Sequence, residues 1–204
     1  IQAYATAAKN AVEVAGFDGV EIHGAYGYLV DQFLRSSSNT RTDGYGGSLH
    51  NRTRFLRELL AAVTAAVGAS KVGIRYSPLS VYNSMSEDDP LAWSEAVAKI
   101  SQDHNLAYVH VTGEDMLNGQ QSQVLAIFRQ HFNNILIANQ GYTKDGANAA
   151  IAAGQIDAVA FGTAFLANPD LPARFAANAE LNKPDPSTFY VGGPKGYTDY
   201  PTLS

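Results

Sequence analysis

The sequence predicts an α/β fold in which the strands of a parallel sheet alternate with helices along the chain. Five short runs rich in β-branched and aliphatic residues recur, and most of them lack the polar alternation of a half-exposed strand. Stretches of helical length separate these runs, and several begin at a polar residue or a proline and end at a glycine. This order of elements is typical of successive βα units.

The strands and helices can be assigned in chain order. The predicted strands occupy residues 19–23, 71–77, 107–112, 134–139 and 157–161. The predicted helices between them include residues 48–67, 91–103, 118–132 and 144–153. Helix starts are indicated at Asp89-Pro90 and at Thr143, and helix ends at Gly68 and Gly154.

Five units of this kind predict part of a (β/α)8 barrel, because a closed barrel has eight strands and about 250 residues. The sequence opens inside the helical pattern Ile1, Tyr4, Ala8 and Val12, without an initiator methionine. We therefore expect this chain to supply about the last five βα units. The missing strands would lie on an N-terminal segment, either a separate chain or a preceding part of the same polypeptide.

The composition changes at residue 182, where the chain becomes rich in Pro, Gly and Tyr and loses any helical or alternating pattern. Aromatic side chains at Phe189, Tyr190, Tyr197 and Tyr200 favour packing of this tail onto the body. We predict a barrel portion over residues 1–181 and a packed loop extension over residues 182–204.

The composition also excludes several classes of protein. With 204 residues, 46% of them hydrophobic, the chain can bury one sizeable core. A formal net charge of -5 without runs of like charge offers no basic surface for nucleic acid or an anionic membrane, and no apolar stretch is long enough for a bilayer span. Cysteine is absent, which excludes disulfide scaffolds and thiolate metal sites. We expect small-molecule chemistry in the cytoplasm.

Polar residues collect where the predicted strands end, which is where α/β barrels carry their reactive groups. These residues are His23, Tyr26, Tyr28, Arg75, Ser77, His110, Thr112, Gln140, Gly141, Gly162 and Thr163. No histidine or carboxylate spacing suggests a metal site.

Two glycine-containing turns, Gln140-Gly141 and Gly162-Thr163, predict exposed backbone N–H groups that can hold a phosphate. The alternative is that these glycines only permit tight strand-to-helix turns. Arg75 favours an anionic ligand, since a guanidinium in an apolar strand needs a ligand or a buried carboxylate to neutralise it.

Alternation along the first strand directs Glu21 and His23 to one face and Ile22 to the other, so that His23 points into the barrel. A structural role for His23, with Glu21 as its partner, remains an alternative. Tyr26 and Tyr28 follow in a loop at the barrel mouth, where a phenol can donate a proton to a developing carbanion or enolate. Ordinary aromatic packing is the alternative for both.

Two long motifs then identify a resemblance. The stretch FDGVEIHGAYGYL at residues 17–29 and the pattern N-x-R-T-D-x-Y-G-G-S-x-x-N-R at residues 39–52 resemble Old Yellow Enzymes. Shorter matches at residues 72–78, 161–171 and 188–201 extend this resemblance over nearly the whole chain.

The resemblance implies an ene-reductase that holds FMN at the mouth of a (β/α)8 barrel and is reduced by NADPH or NADH. Hydride passes from flavin N5 to the β-carbon of an activated alkene, and the resemblance implies Tyr28 as the donor of the proton that follows. It also implies that His23 and Tyr26 bind the carbonyl or nitro oxygen of the substrate. Cofactor contacts are implied for His23, Arg75, Gln140, Gly141, Gly162, Thr163 and Tyr190.

The chain departs from the family pattern at two of these positions. Relatives usually carry Asn or His where this chain has Tyr26, and often a Gly-Arg pair where it has Gly162-Thr163. Two other functions stay open: a non-catalytic half-barrel that acts as an interaction module, and a flavoprotein isomerase that returns the hydride to its substrate.

Overall fold

A computed structural model describes residues 1–113 and 119–203. The strands are β1 (Val20–Gly24), β2 (Val72–Tyr76), β3 (Tyr108–Thr112), β4 (Ile135–Asn139) and β5 (Ala158–Ala160). The α-helices among the described residues are α1 (Gln2–Lys9), α2 (Leu29–Leu34), α3 (Leu49–Arg52), α4 (Arg54–Val67), α5 (Pro90–Asp103), α6 (Gly119–His131), α7 (Lys144–Ala152), α8 (Thr163–Ala167) and α9 (Leu171–Ala177). The predicted α/β class is confirmed.

The five strands form one sheet in the order β1-β2-β3-β4-β5, so strands adjacent in sequence are also adjacent in space. The first four run parallel, with His23 opposite Arg75 and Thr112 opposite Asn139. Each predicted strand coincides with an observed strand to within two residues at either end. Parallel pairing therefore brings the carboxyl ends of these strands to one edge of the sheet.

One face of the sheet packs against the helices and forms the core. Ile22, Ile74, Val109 and Leu136 occupy the second or third position of β1 to β4 and are buried. Trp93 of α5 is fully buried in the same cluster. On β1 the alternate residues Glu21 and His23 lie on the opposite, more exposed face, as the period-2 pattern predicts.

Two helical features differ from the prediction. The helix expected over residues 48–67 is divided at Thr53, whose hydroxyl donates to the carbonyls of Leu49 and His50 at 2.9 and 3.0 Å. Such a bond from a threonine to the preceding turn competes with the regular helix and bends it. The helix α2 was not predicted, because it is only 6 residues long. The predicted helix over residues 118–132 is α6, although Asn118 lies outside the described residues.

The chain divides into two compact units, residues 1–159 and 160–204. Within the second unit the C-terminal tail is hydrogen-bonded to the segment that carries α8 and α9. Asn182 N–H donates to Asn168 Oδ1 at 2.7 Å, and Arg174 Nη2 donates to the Pro201 carbonyl at 2.8 Å. The division predicted between residues 181 and 182 stays a prediction.

Within the described residues, no helix has both the length and the apolar character that a membrane span requires.

A buried ion pair connects the loops that follow β1 and β2. Asp31 and Arg35 are 0% and 1% exposed, and their side chains meet at 2.8 Å. Asp31 also accepts the Gly27 N–H at 2.9 Å. Arg35 donates to the carbonyls of Ser77 and Pro78, and its guanidinium lies over Trp93 at 5.2 Å from the ring centroid. The ion pair thus holds the loop after β1 and the loop after β2 together.

We expect Arg35→Ala to lower the free energy of unfolding by roughly 3 to 5 kcal/mol, because the substitution leaves the Asp31 carboxylate buried without its counter-charge. Urea unfolding followed by circular dichroism measures this change. The matched control is Arg54→Ala, which breaks an exposed i,i+4 pair with Glu58 and should leave unfolding unchanged within error. Equal effects of the two substitutions would show that the buried pair does not stabilise the fold.

Candidate active site

The turn after β1 carries two of the predicted site residues, Tyr26 and Tyr28. Tyr26 and Gly27 both have positive φ, at 57° and 75°. Glycine is required at position 27 for two reasons: its φ is positive, and a Cβ there would lie 2.8 Å from both Asn83 and Met85. Tyr28 follows as the N-cap residue of α2 and is 52% exposed. The turn therefore presents the Tyr28 phenol beside His23, with ring centroids 5.3 Å apart.

His23 is exposed near the end of β1 and lies beside the positive charge of Arg75. Partial burial, and then the charge of Arg75, lower the pKa of His23 below its ordinary value, while Glu21 and Asp31 oppose this shift. A lowered pKa keeps the imidazole neutral near pH 7. One ring nitrogen is then an N–H donor, which suits an uncharged oxygen acceptor.

Arg75 lies next to His23 in the sheet register. Its Nη2 donates to Asn139 Oδ1 at 2.8 Å, and its guanidinium lies 5.1 Å from the centroid of the Tyr26 ring. Its Nε is buried and has no hydrogen-bond partner among the described residues. Arg75 thus has donor capacity left over beside His23, at the centre of the sheet edge.

The Tyr26 side chain crosses the sheet edge instead of turning outward. Its hydroxyl lies 2.7 Å from Thr112 Oγ1, and Thr112 Oγ1 lies 3.0 Å from Asn139 Oδ1. The Tyr26 backbone N–H donates to Ser77 Oγ at 2.7 Å, and its carbonyl accepts from Asn83 Nδ2 at 2.8 Å. Both the backbone and the side chain of Tyr26 are therefore held.

Below this edge, polar side chains line the open face of the sheet. His110 Nδ1 lies 3.1 Å from Glu21 Oε2, and His110 Nε2 is buried without a partner among the described residues. Burial acts to raise the pKa of Glu21, but the His110 hydrogen bond, Tyr108 and Arg75 lower it overall. Burial and the charge of Glu21 raise the pKa of Tyr108 to about 12. This layer keeps Glu21 ionised and Tyr108 protonated at neutral pH.

A cavity of about 520 Å³ opens beside the Tyr28 phenol. Its lining residues are Gly27, Tyr28, Gln32, Ser38, Asn83 and Met85. Neither His23 nor Arg75 lines this cavity, so it adjoins the candidate site on the Tyr28 side alone.

The predicted phosphate-binding residues fall in both units. In the first unit, Gln140 and Gly141 directly follow β4. Both are exposed, and both have a positive φ, of 71° and 76°. In the second unit, Gly162 and Thr163 are exposed at the start of α8. A Cβ added at Gly162 would have no atom within 4 Å, so open space adjoins that backbone. Tyr190, also in the second unit, is 98% exposed.

Sequence reasoning did not find Asp31 and Arg35, which hold the turn that carries Tyr26 and Tyr28. The available signal was two opposite charges spaced i and i+4 directly after the turn. This spacing predicts a pair on one helix face, but it does not indicate whether that face is buried.

A sequence model of a protein family described as NADH:flavin oxidoreductase / NADH oxidase matches residues 1–182. Two curated relatives are similar over the whole chain. A probable flavin mononucleotide-dependent alkene reductase of Leishmania infantum is 47% identical over 203 residues, and 12-oxophytodienoate reductase 1 of Oryza sativa subsp. japonica is 48% identical over 209 residues. The chain spans 55% of the length of each relative.

Two solved structures are also similar to this chain over nearly its whole length. Morphinone reductase in complex with tetrahydroNAD superposes with a TM-score of 0.92 at 43% identity, covering 100% of this chain and 55% of that protein. The old yellow enzyme from Trypanosoma cruzi superposes with a TM-score of 0.93 at 41% identity, covering 98% of this chain and 54% of that protein.

We expect Arg75→Gln to raise the pKa of His23, because the substitution removes a positive charge that disfavours the imidazolium. His23 should then bind its proton at a higher pH than in the original chain. An NMR titration of the His23 ring protons measures the shift. Arg54→Gln, which removes a charge from α4, is the control and should leave the His23 midpoint where it was. An unchanged midpoint in Arg75→Gln would contradict this electrostatic coupling.

Proposed function

We propose that this chain, which belongs to the NADH:flavin oxidoreductase / NADH oxidase family, carries the catalytic side chains of an FMN-dependent ene-reductase. The resemblance to Old Yellow Enzymes predicted from the motifs is confirmed by the family match and by the solved relatives. The proposed reaction is reduction of an activated C=C bond in an α,β-unsaturated carbonyl or nitro compound. NADPH or NADH would be the reductant.

The observation that carries this proposal is the grouping of Arg75, His23 and Tyr28 at one sheet edge. Arg75 offers a cationic donor with an unsatisfied N–H, His23 a neutral donor, and Tyr28 an exposed phenol. A planar heterocycle whose ring nitrogen and oxygen atoms accept hydrogen bonds fits the first of these groups. An activated alkene fits His23 and Tyr28, because its carbonyl or nitro oxygen accepts a hydrogen bond and its α-carbon needs a proton.

The residues present fit FMN. We propose that Arg75 and His23 face the flavin ring, since the buried Arg75 Nε lacks an acceptor among the described residues. Each unit offers exposed backbone that could hold a phosphate, at Gln140 and Gly141 in the first unit and at Gly162 and Thr163 in the second. The resemblance implies that Tyr190, in the second unit, is a residue of a pocket wall. When bound, FMN supplies two-electron and hydride chemistry that amino-acid side chains lack.

The protein side chains would act on the substrate in two ways. His23 donates a hydrogen bond to the carbonyl or nitro oxygen and so stabilises the negative charge that develops there. The resemblance alone implies the same role for Tyr26, but the Tyr26 hydroxyl lies 2.7 Å from Thr112 Oγ1. Tyr28 gives its phenolic proton to the α-carbon of the substrate. The centroid of the Tyr28 ring lies 5.3 Å from the centroid of the His23 ring.

The remaining barrel strands are part of the proposal. The chain spans about half the length of its relatives, and the polar face of its sheet leaves Glu21 and His23 exposed. In a (β/α)8 barrel this face is interior and filled by side chains from all strands. We propose that an N-terminal segment or chain supplies the other strands and completes the flavin pocket.

Absorbance at the flavin bands, combined with intact-mass analysis of every polypeptide in the purified protein, tests this function. We expect bound FMN together with an N-terminal polypeptide. A single chain that stays flavin-free after addition of FMN would overturn the proposed function and favour a non-catalytic interaction module.

We expect Tyr28→Phe to slow alkene reduction by about 100-fold to 10,000-fold, the range for loss of a positioned general acid. The rate at which NADPH or NADH reduces the flavin should change little, because that step needs no proton from Tyr28. Stopped-flow measurement of the two half-reactions separates these rates.

The matched control for that experiment is Tyr82→Phe, a phenol that is 59% exposed in the neighbouring loop. It should leave both half-reactions unchanged. Equal slowing of both half-reactions in Tyr28→Phe would remove Tyr28 as the proton donor.

A further inference from the structure

Four side chains from successive strand ends form one connected group, which we call the Arg75 network: Tyr26, Arg75, Thr112 and Asn139. Thr112 is fully buried and Asn139 is 9% exposed. Asn139 Oδ1 lies 2.8 Å from Arg75 Nη2 and 3.0 Å from Thr112 Oγ1, and the Tyr26 hydroxyl lies 2.7 Å from the same Thr112 oxygen. The Tyr26 ring in turn covers the Arg75 guanidinium at 5.1 Å, which closes the group into a ring.

The sheet register explains how these side chains meet. Thr112 and Asn139 are direct partners across β3 and β4, so their side chains leave the sheet edge side by side. Arg75 is paired with His110, two residues before Thr112, and its long side chain reaches past β3 to Asn139. The contact between Arg75 and Asn139 therefore spans three strands.

The chemistry of the donors fixes the direction of every hydrogen bond in this network. Arg75 can only donate, so the Asn139 atom that it faces must be the carbonyl oxygen. That oxygen can only accept, so Thr112 must give it its single hydroxyl proton. The Tyr26 hydroxyl must then donate to Thr112, since Thr112 has no second proton.

We propose that Thr112 and Asn139 are positioning residues that orient Arg75 toward FMN, and that Tyr26 serves this network instead of binding substrate oxygen. The proposal rests on the proposed function, in which Arg75 faces the flavin. Because the Tyr26 proton is committed to Thr112, it is not available to a carbonyl or nitro group. His23 is then the side-chain donor to that oxygen, without help from Tyr26.

The first test is FMN affinity, measured by flavin fluorescence on this chain, and on variants of it, assembled with the N-terminal polypeptide that completes the barrel. Thr112→Val and Asn139→Ala should each weaken FMN binding roughly tenfold, the effect expected when a charged donor loses the hydrogen bond that orients it. Thr112→Ser keeps the hydroxyl and should bind FMN like the original chain. Thr64→Val is the matched control, because in the described part of the chain the Thr64 hydroxyl bonds only to carbonyls of α4.

The second test separates the two roles of Tyr26. Tyr26→Phe should weaken FMN binding, but less than Thr112→Val, which also removes the hydrogen bond from Thr112 to Asn139. The double variant should bind FMN no more weakly than Thr112→Val alone, because that substitution already removes the hydrogen bond that Tyr26→Phe removes. The KM for the alkene should stay unchanged in Tyr26→Phe. A raised KM with unchanged FMN affinity would instead make Tyr26 a substrate-binding residue and overturn this part of the proposal.

A third readout needs no flavin. The Nε–H resonance of Arg75 in the NMR spectrum of the flavin-free chain should be a single sharp signal, and it should broaden in Thr112→Val and Asn139→Ala. If the original chain binds FMN but neither substitution changes affinity or this resonance, the positioning role is overturned and the proposed function stands. If the original chain binds no FMN, both fail.

Discussion

The buried ion pair between Asp31 and Arg35 is the constraint on which the rest of the site depends. Asp31 lies on α2 and Arg35 directly follows that helix, but their contacts reach the turn after β1 and the loop after β2. A buried pair of this kind is costly to desolvate, so it persists only when every remaining donor and acceptor is satisfied. Here the Gly27 N–H and the Ser77 and Pro78 carbonyls provide those partners, and the two loops become a single support for the site.

The parallel register supplies the second constraint. Because adjacent strands pair in order, residues at equal height on β1 to β4 form layers at the sheet edge. His23 and Arg75 share one layer, and Thr112 and Asn139 share the next. The positive charge of Arg75 therefore acts on the His23 imidazole and on the ionised Glu21 below it. Electrostatics and hydrogen bonding at the site are both consequences of strand register.

Tyr26 illustrates how an unfavourable backbone conformation is accommodated at the site. Its φ of 57° lies in the left-handed region, where a short polar side chain such as Asn is usual and an aromatic residue is strained. The strain is offset by anchoring, since the Tyr26 N–H, carbonyl, ring and hydroxyl all have partners. The tyrosine side chain is long enough to place its hydroxyl 2.7 Å from Thr112 Oγ1.

The sequence by itself determined the α/β class, the five strands, the family and the residues at the strand ends, because apolar runs and local motifs are written in consecutive residues. It predicted His23, Tyr28 and Arg75 at one edge, since parallel strands end together. It did not determine the helix α2, the Asp31–Arg35 pair or the path of Tyr26 to Thr112. Those depend on contacts between residues 42 to 86 positions apart, such as Arg35 with Ser77 and Tyr26 with Thr112, which only the packed tertiary structure brings together.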